Sequence, residues 1–243
     1  MPRFSKVTLF VQCLVDALYP QVGDALVEIF RRLELPVEIP LNQTCCGQPA
    51  YNSGYHAPAR KAASHFIETF EGAEVIVCPS GSCVDMVRHH YPQLFDNQPA
   101  WRARAEAVAG KIFELSEFLV DVVGVTDLDA RFDGTLTYHD SCHLSRCLGV
   151  ADQPRTLIKA VRGATLVEMA DSDRCCGFGG TFAVKYADIS AGLLAEKVAN
   201  IVATGADAVV GCDLSCLMHI QGMLSRRKLP VRAMHIAELL VQK

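Results

Sequence analysis

Eleven cysteines stand in this 243-residue chain, and ten of them form two similar series. The first is Cys13, the adjacent pair Cys45 and Cys46, then Cys78 and Cys83. The second is Cys142, the adjacent pair Cys175 and Cys176, then Cys212 and Cys216. A glycine, Gly47 or Gly177, follows each pair. Counting along the chain, the offsets are 129 from Cys13 to Cys142, 130 for both members of the pair, and 133 from Cys83 to Cys216. A near-constant offset between similar segments is the mark of internal duplication. Each half therefore offers thiols from three separate stretches, the raw material of a metal or cluster site.

A disulfide framework belongs to small secreted chains with an even cysteine count. Clustered thiols in a reducing compartment are more often metal ligands, with buried or redox thiols as the plain alternative. A single tetrahedral zinc is usually gripped by pairs with two to four residues between them, and adjacent cysteines suit it poorly. An iron–sulfur cluster is wider, so neighbouring thiolates can reach different irons. Gly47 and Gly177 permit a backbone conformation or close approach that a Cβ would block. Cys83 and Cys216 sit near expected helix N-termini, where the dipole favours thiolate. Iron–sulfur chemistry fits this pattern better than zinc, which stays open as a non-redox scaffold.

The elements that must carry these thiols alternate. Strands are expected at Lys6–Cys13, Pro36–Pro40 and Glu74–Cys78, and helices at Asp16–Leu35 and His56–Phe70, with another from Cys83 to just before Pro92. Trp101–Val123 reads as a helix bridging the halves, and Thr126–Gly134 as a polar linker. The order then repeats: strands at Thr135–His139, Thr165–Met169 and Ala208–Cys212, helices at Pro154–Val161, up to about Ala203 and over Ser215–Arg226, and a last strand and helix after Pro230. This predicts an α/β fold of two similar lobes, residues 1–125 and 126–243, each a mostly parallel sheet with flanking helices. Every cysteine cluster then falls at the carboxyl end of a strand, where open α/β sheets bind ligands.

Half the residues are hydrophobic, 21% are charged and the net charge is −4, which leaves no footprint for nucleic acid or an anionic membrane. No apolar run reaches a membrane span, and Met-Pro-Arg-Phe-Ser-Lys opens into a strand-like segment rather than a signal peptide. A cytoplasmic location is expected.

The segments "CCGQPAYNSGY", "SGSC", "SCHLSR", "CCGFGGTFAVK", "SCLM" and "AMHIAE" resemble the cysteine-rich Cys-Cys-Gly domain proteins over essentially the whole chain. That group includes the Cys-Cys-Gly component of heterodisulfide reductase and the iron–sulfur component of glycolate oxidase, and the resemblance is strongest to the small lactate-utilisation A proteins. It implies an iron–sulfur oxidoreductase component, with up to two clusters of 4Fe-4S type. It also implies electron transfer with partner proteins in the oxidation of L-lactate, a 2-hydroxy acid. The implied ligands are Cys13, Cys45, Cys46 and Cys83, then Cys142, Cys175, Cys176 and Cys216. The wider family ends each set in Cys-x-x-Cys, whose first position falls here on Ser80 and Asp213. Cys78 and Cys212 lie close by, out of register, as possible substitutes. A catalytic cluster for thiol–disulfide chemistry is the rival redox reading, with Ser80 or Asp213 leaving one iron distinct.

Other residues read more plainly. Cys147 has no first-half counterpart and is expected to be a buried thiol. His139 and His143 flank Cys142 and can donate to a cluster or serve as capping or core histidines. His89 and His90 lie late in a helix, where a dipole contact suffices. Tyr51 and Phe178 follow the two Cys-Cys-Gly loops and are expected to shield the sites. Glycines 177, 179 and 180 lack the spacing of a phosphate loop.

Overall fold

In the computed structural model, which describes residues 4–243, the short strands are built from side chains that can be buried on both faces. The first three residues of the opening stretch lie outside the described residues. Val7–Leu9 (β1), Ile76–Cys78 (β3) and Ala208–Gly211 (β7) are buried throughout, as central strands of parallel sheets must be. Val37–Glu38 (β2), β1, β3 and Ile112–Glu114 (β4) form one sheet in the order β2-β1-β3-β4. Arg162–Leu166 (β6), Arg131–Tyr138 (β5), β7 and Arg232–His235 (β8) form the other, in the order β6-β5-β7-β8. All six pairings are parallel. The two sheets share one topology, so the duplication seen in the cysteines is present in the fold.

The register aligns the halves residue by residue. Leu9 faces Val77 in the first sheet and Tyr138 faces Val210 in the second. One residue on, the Phe10 amide donates to Val77 O and the His139 amide to Val210 O, both at 2.9 Å. Phe10 and His139 are therefore equivalent positions.

The helices flank these sheets through apolar stripes. Pro20–Arg32 starts on a proline, buries Val22, Ala25, Leu26, Ile29 and Phe30 on one side, and ends on Arg31 and Arg32, which suit its carboxyl end. Each large side chain of that stripe contributes about 1.5–3 kcal/mol by leaving water. Ala187–Ala203 and Leu214–Arg226 pack in the same way on the second sheet.

Two expectations need correction. The bridging helix ends at Ala109; Gly110 and Lys111 interrupt it, and Ile112–Glu114 forms β4, paired with β3, before Leu115–Glu117 resumes helical turns. Ladder pairing with a buried neighbour outweighs the helical pattern over those three residues. The linker is also shorter than expected, because β5 begins at Arg131 and already buries Phe132.

One core cluster runs through both halves, joining Val7, Leu26 and Phe118 to Leu136, Leu217 and Leu239. Polar contacts reinforce it. The Arg32 guanidinium donates to Leu128 O at 3.1 Å and Val241 O at 2.7 Å, and His235 Nε2 lies 3.0 Å from Pro79 O. No helix among the described residues is long and apolar enough to cross a membrane.

Candidate metal centre

The strand ends deliver the thiols. Cys13 opens the helix Cys13–Leu18, capped by Gln12, whose side chain accepts from the Leu14 amide at 2.8 Å. Gln43 ties the first Cys-Cys-Gly loop to the end of β1, accepting from the Val11 amide at 2.7 Å and donating to Pro40 O at 2.9 Å. Gly47 and Gly177 sit at φ +84° and +83°. A Cβ there would meet Ala59 O at 3.3 Å in the first loop and Ser190 O at 2.6 Å in the second. Both reasons for glycine, the left-handed backbone and the close approach, therefore hold. The Gly47 and Gly177 amides donate to Cys45 Sγ and Cys175 Sγ at 3.4 and 3.3 Å. Cys83 and Cys216 follow the equivalent caps Ser80 and Asp213.

Within each set the sulfurs converge. Cys13 Sγ lies 3.8 Å from Cys45 Sγ, Cys46 Sγ 3.5 Å from Cys83 Sγ, and Cys176 Sγ 3.0 Å from Cys216 Sγ. Both sets open on one cleft of about 200 Å³ between the sheets, lined by Cys13, Cys45, Cys46, Cys83, Cys142, Cys175, Cys176 and Cys216. Phe178, Gly179 and Gly180 close one side of it. Tyr51 turns away, its ring against His56 and His90 and its hydroxyl donating to Gln93.

Cys78, Cys147 and Cys212 do not line the cleft. Cys78 ends β3, and the caps Ser80 and Asp213 align it with Gly211 rather than with Cys212, so the two spare thiols are not counterparts. The Cys212 sulfur sits 3.5 Å from the Tyr138 hydroxyl. Cys147 is exposed, against expectation, because its helical turn, His143–Cys147, buries only Leu144. Nor do Ser80 and Asp213 point free donors at the thiols. Ser80 Oγ accepts from the Cys83 amide at 3.4 Å. Asp213 Oδ1 accepts from the Ser215 amide and Oδ2 from the Ser82 amide, at 3.2 and 3.0 Å.

Proton affinities divide each set alike. Hydrogen bonds from Cys13 and Cys46 hold the Cys45 thiol down to about 3, and those from Cys46 and Cys78 hold Cys83 down to about 5. In the second set Cys142 and Cys176 hold Cys175 down to about 2, and Cys176 holds Cys216 down to about 6. Cys13, Cys46, Cys142 and Cys176 are pushed up, chiefly as the donors in these bonds. Each site thus sets two thiols of lowered proton affinity beside two of raised affinity, a donor set suited to a cationic centre.

Several buried polar groups surround the site, and of these Lys197 and Asp85 escape sequence reading. His139 is 1% exposed with neither ring nitrogen partnered, and a ring nitrogen lies within 4.8 Å of the Cys176 and Cys216 sulfurs. Lys197 is fully buried, donating to Asp171 O at 2.8 Å and Ser172 O at 3.0 Å. Asp85 is 2% exposed and draws in His89 at 2.6 Å, His90 at 3.7 Å and His143 at 3.8 Å. The two late-helix histidines are therefore held by a carboxylate rather than by the dipole alone. Such residues become visible only when helix faces are placed against the strand-end loops.

The family profile for the cysteine-rich Cys-Cys-Gly domain matches residues 7–88 and again 136–221, one copy per sheet. "Lactate utilization protein A" of an Exiguobacterium species is 53% identical over 97% of this chain and 96% of its own length. The protein of the same name from Macrococcus caseolyticus is 51% identical over 97% of this chain and 96% of its own. Among solved structures, a hypothetical protein from Helicobacter pylori shares the fold, with a TM-score of 0.65 at 10% identity, covering all of this chain and 50% of that one. Two matched thiol sets, two copies of the domain and full-length likeness at about half identity place this chain in the lactate utilization protein A family of cysteine-rich domain proteins.

Proposed function

We propose that the chain is an iron–sulfur oxidoreductase component of a cytoplasmic system that oxidises L-lactate, passing electrons to and from partner proteins. The observation that carries this reading is the cleft, which gathers the eight paired thiols and leaves out the other three. Cys13, Cys45, Cys46 and Cys83 would hold one cluster of 4Fe-4S type, and Cys142, Cys175, Cys176 and Cys216 a second. Thiolate-rich loops with preset glycine turns suit a multi-iron group, because adjacent cysteines can reach different irons. When bound, such groups take up and release single electrons. The chain's own residues position the thiolates, supply amides to Cys45 and Cys175, and keep water from the buried Cys46, Cys83, Cys176 and Cys216. The relatives' names supply the lactate assignment.

A structural zinc is the second reading. A tetrahedron with Zn–S near 2.3 Å has an edge of roughly 3.8 Å, which is the Cys13–Cys45 spacing. Anaerobic purification followed by iron, acid-labile sulfide and zinc analysis decides between them. Brown protein with iron and sulfide in near-equal amounts is expected, with an EPR signal on reduction. Stoichiometric zinc without sulfide would sink the iron–sulfur reading.

A further inference from the structure

Beneath the first site, Phe10 and Phe66 meet edge to face, ring centroids 4.8 Å apart, inside an apolar cluster that includes Cys46 and Cys83. The second site differs at both positions. Phe10 aligns with His139 through the matched amide bonds to Val77 O and Val210 O. Gly47 packs on Ala59 and Ala62 as Gly177 packs on Ser190 and Leu193. Seven residues beyond Ala59 and Ser190 stand Phe66 and Lys197. An aromatic pair in one half is thus an imidazole and an ammonium in the other.

We propose that this replacement makes the two sites electrically unequal, so that an electron entering the protein rests on the second site in preference to the first. The inference rests on the iron–sulfur reading above. One-electron reduction adds a unit of negative charge to a thiolate-ligated cluster. A buried cation and ring N–H groups stabilise that charge, and low polarisability of the surroundings strengthens the effect. Lys197 Nζ lies 3.9 Å from the sulfur of Met169, which belongs to the same buried cluster as Cys176 and Cys216, and it donates to the carbonyls of Asp171 and Ser172, just before Cys175. A His139 ring nitrogen lies within 4.8 Å of the Cys176 and Cys216 sulfurs, and among the described residues no nitrogen or oxygen atom bonds its ring. The carboxylates beside Ser172, a carbonyl partner of Lys197, are paired with arginines: Arg155 binds Asp140 through two bonds at 2.8 and 2.7 Å, and Arg146 pairs with Asp173 at 3.0 Å. Asp213 acts on thiols of both sets and does not distinguish them.

Reductive titration followed by EPR tests the inference on full-length protein with one site removed at a time. The cluster kept by Cys46→Ser, in the second site, should be reduced at a higher potential than the cluster kept by Cys176→Ser. In the otherwise unaltered chain, His139→Phe and Lys197→Met should each lower the potential of the second site, leave the first unmoved and keep the iron content. Equal potentials in the two single-site proteins, or a second site indifferent to both substitutions, overturn the inference while leaving the cluster assignment intact. Protein without iron overturns the cluster assignment and this inference with it.

Discussion

The backbone amide of Ser82, in the first lobe, donates to the carboxylate of Asp213, in the second, at 3.0 Å. Asp213 is 2% exposed and also caps the helix that carries Cys216. The same carboxylate therefore starts one thiol-bearing helix and anchors the loop before Cys83, setting the spacing of the two sets across the cleft.

Removing that carboxylate should cost stability twice. Losing a cap costs about 1 kcal/mol, and leaving the buried Ser82 amide unpaired costs about 1–3 kcal/mol. Asp213→Ala is expected to lose about 2–4 kcal/mol in denaturant unfolding, and Asp213→Asn, which keeps an acceptor, visibly less. Equal losses in the two variants would refute the shared-carboxylate account.

Ligand substitutions should be local. Cys46→Ser or Cys176→Ser is expected to halve the bound iron, and Cys147→Ser to leave it unchanged. Cys83→Ser should remove iron that Cys78→Ser retains, since Cys83 lines the cleft and Cys78 does not. Metal analysis of the purified variants settles the assignment; the reverse pattern would move the ligand to Cys78.

Glycine replacements should rank by clearance. A Cβ at Gly177 would lie 2.6 Å from Ser190 O, against 3.0 Å from Ala62 Cβ and 3.3 Å from Ala59 O for Gly47. Both residues have positive φ, so strain of about 1–3 kcal/mol applies to each. Gly177→Ala should nevertheless lower the melting temperature and iron content of the protein more than Gly47→Ala does.

Glu114 gives the pH dependence a sign. Its carboxylate is buried with Oε1 unpartnered, and burial pushes its pKa up to about 7 from 4.5. The folded protein binds this proton more tightly than the unfolded chain, so stability falls as pH rises from about 4.5 to about 7 and is level above. The shift corresponds to about 3 kcal/mol. Unfolding measured at pH 5 and pH 8 should show this loss in the parent and much less of it in Glu114→Gln. An unchanged slope in the variant would locate the titration elsewhere.

The thiol sets and the parallel repeat were legible because cysteine spacing and strand–helix alternation are local patterns. β4 was not, since Ile112–Glu114 is short, follows a helix and owes its form to pairing with Ile76–Cys78. Lys197 reads as an ordinary solvated residue in Ala187–Ala203; the carbonyls of Asp171 and Ser172, 26 and 25 residues earlier, draw it inward. His139 was recognisable as a neighbour of Cys142, but its approach to the Cys176 and Cys216 sulfurs follows from two loops distant in the chain. Spacing along the chain announces the thiol sets; it says little about the groups that surround them.

The apolar cluster joining Leu26 and Phe118 to Leu136 and Leu239 has a consequence for heating and wear. Neither half can loosen without exposing the other's seam, so calorimetry should register a single cooperative melting event rather than two. Oxidative damage to the thiols of one half would then shorten the lifetime of the whole molecule, including the half whose chemistry is still sound.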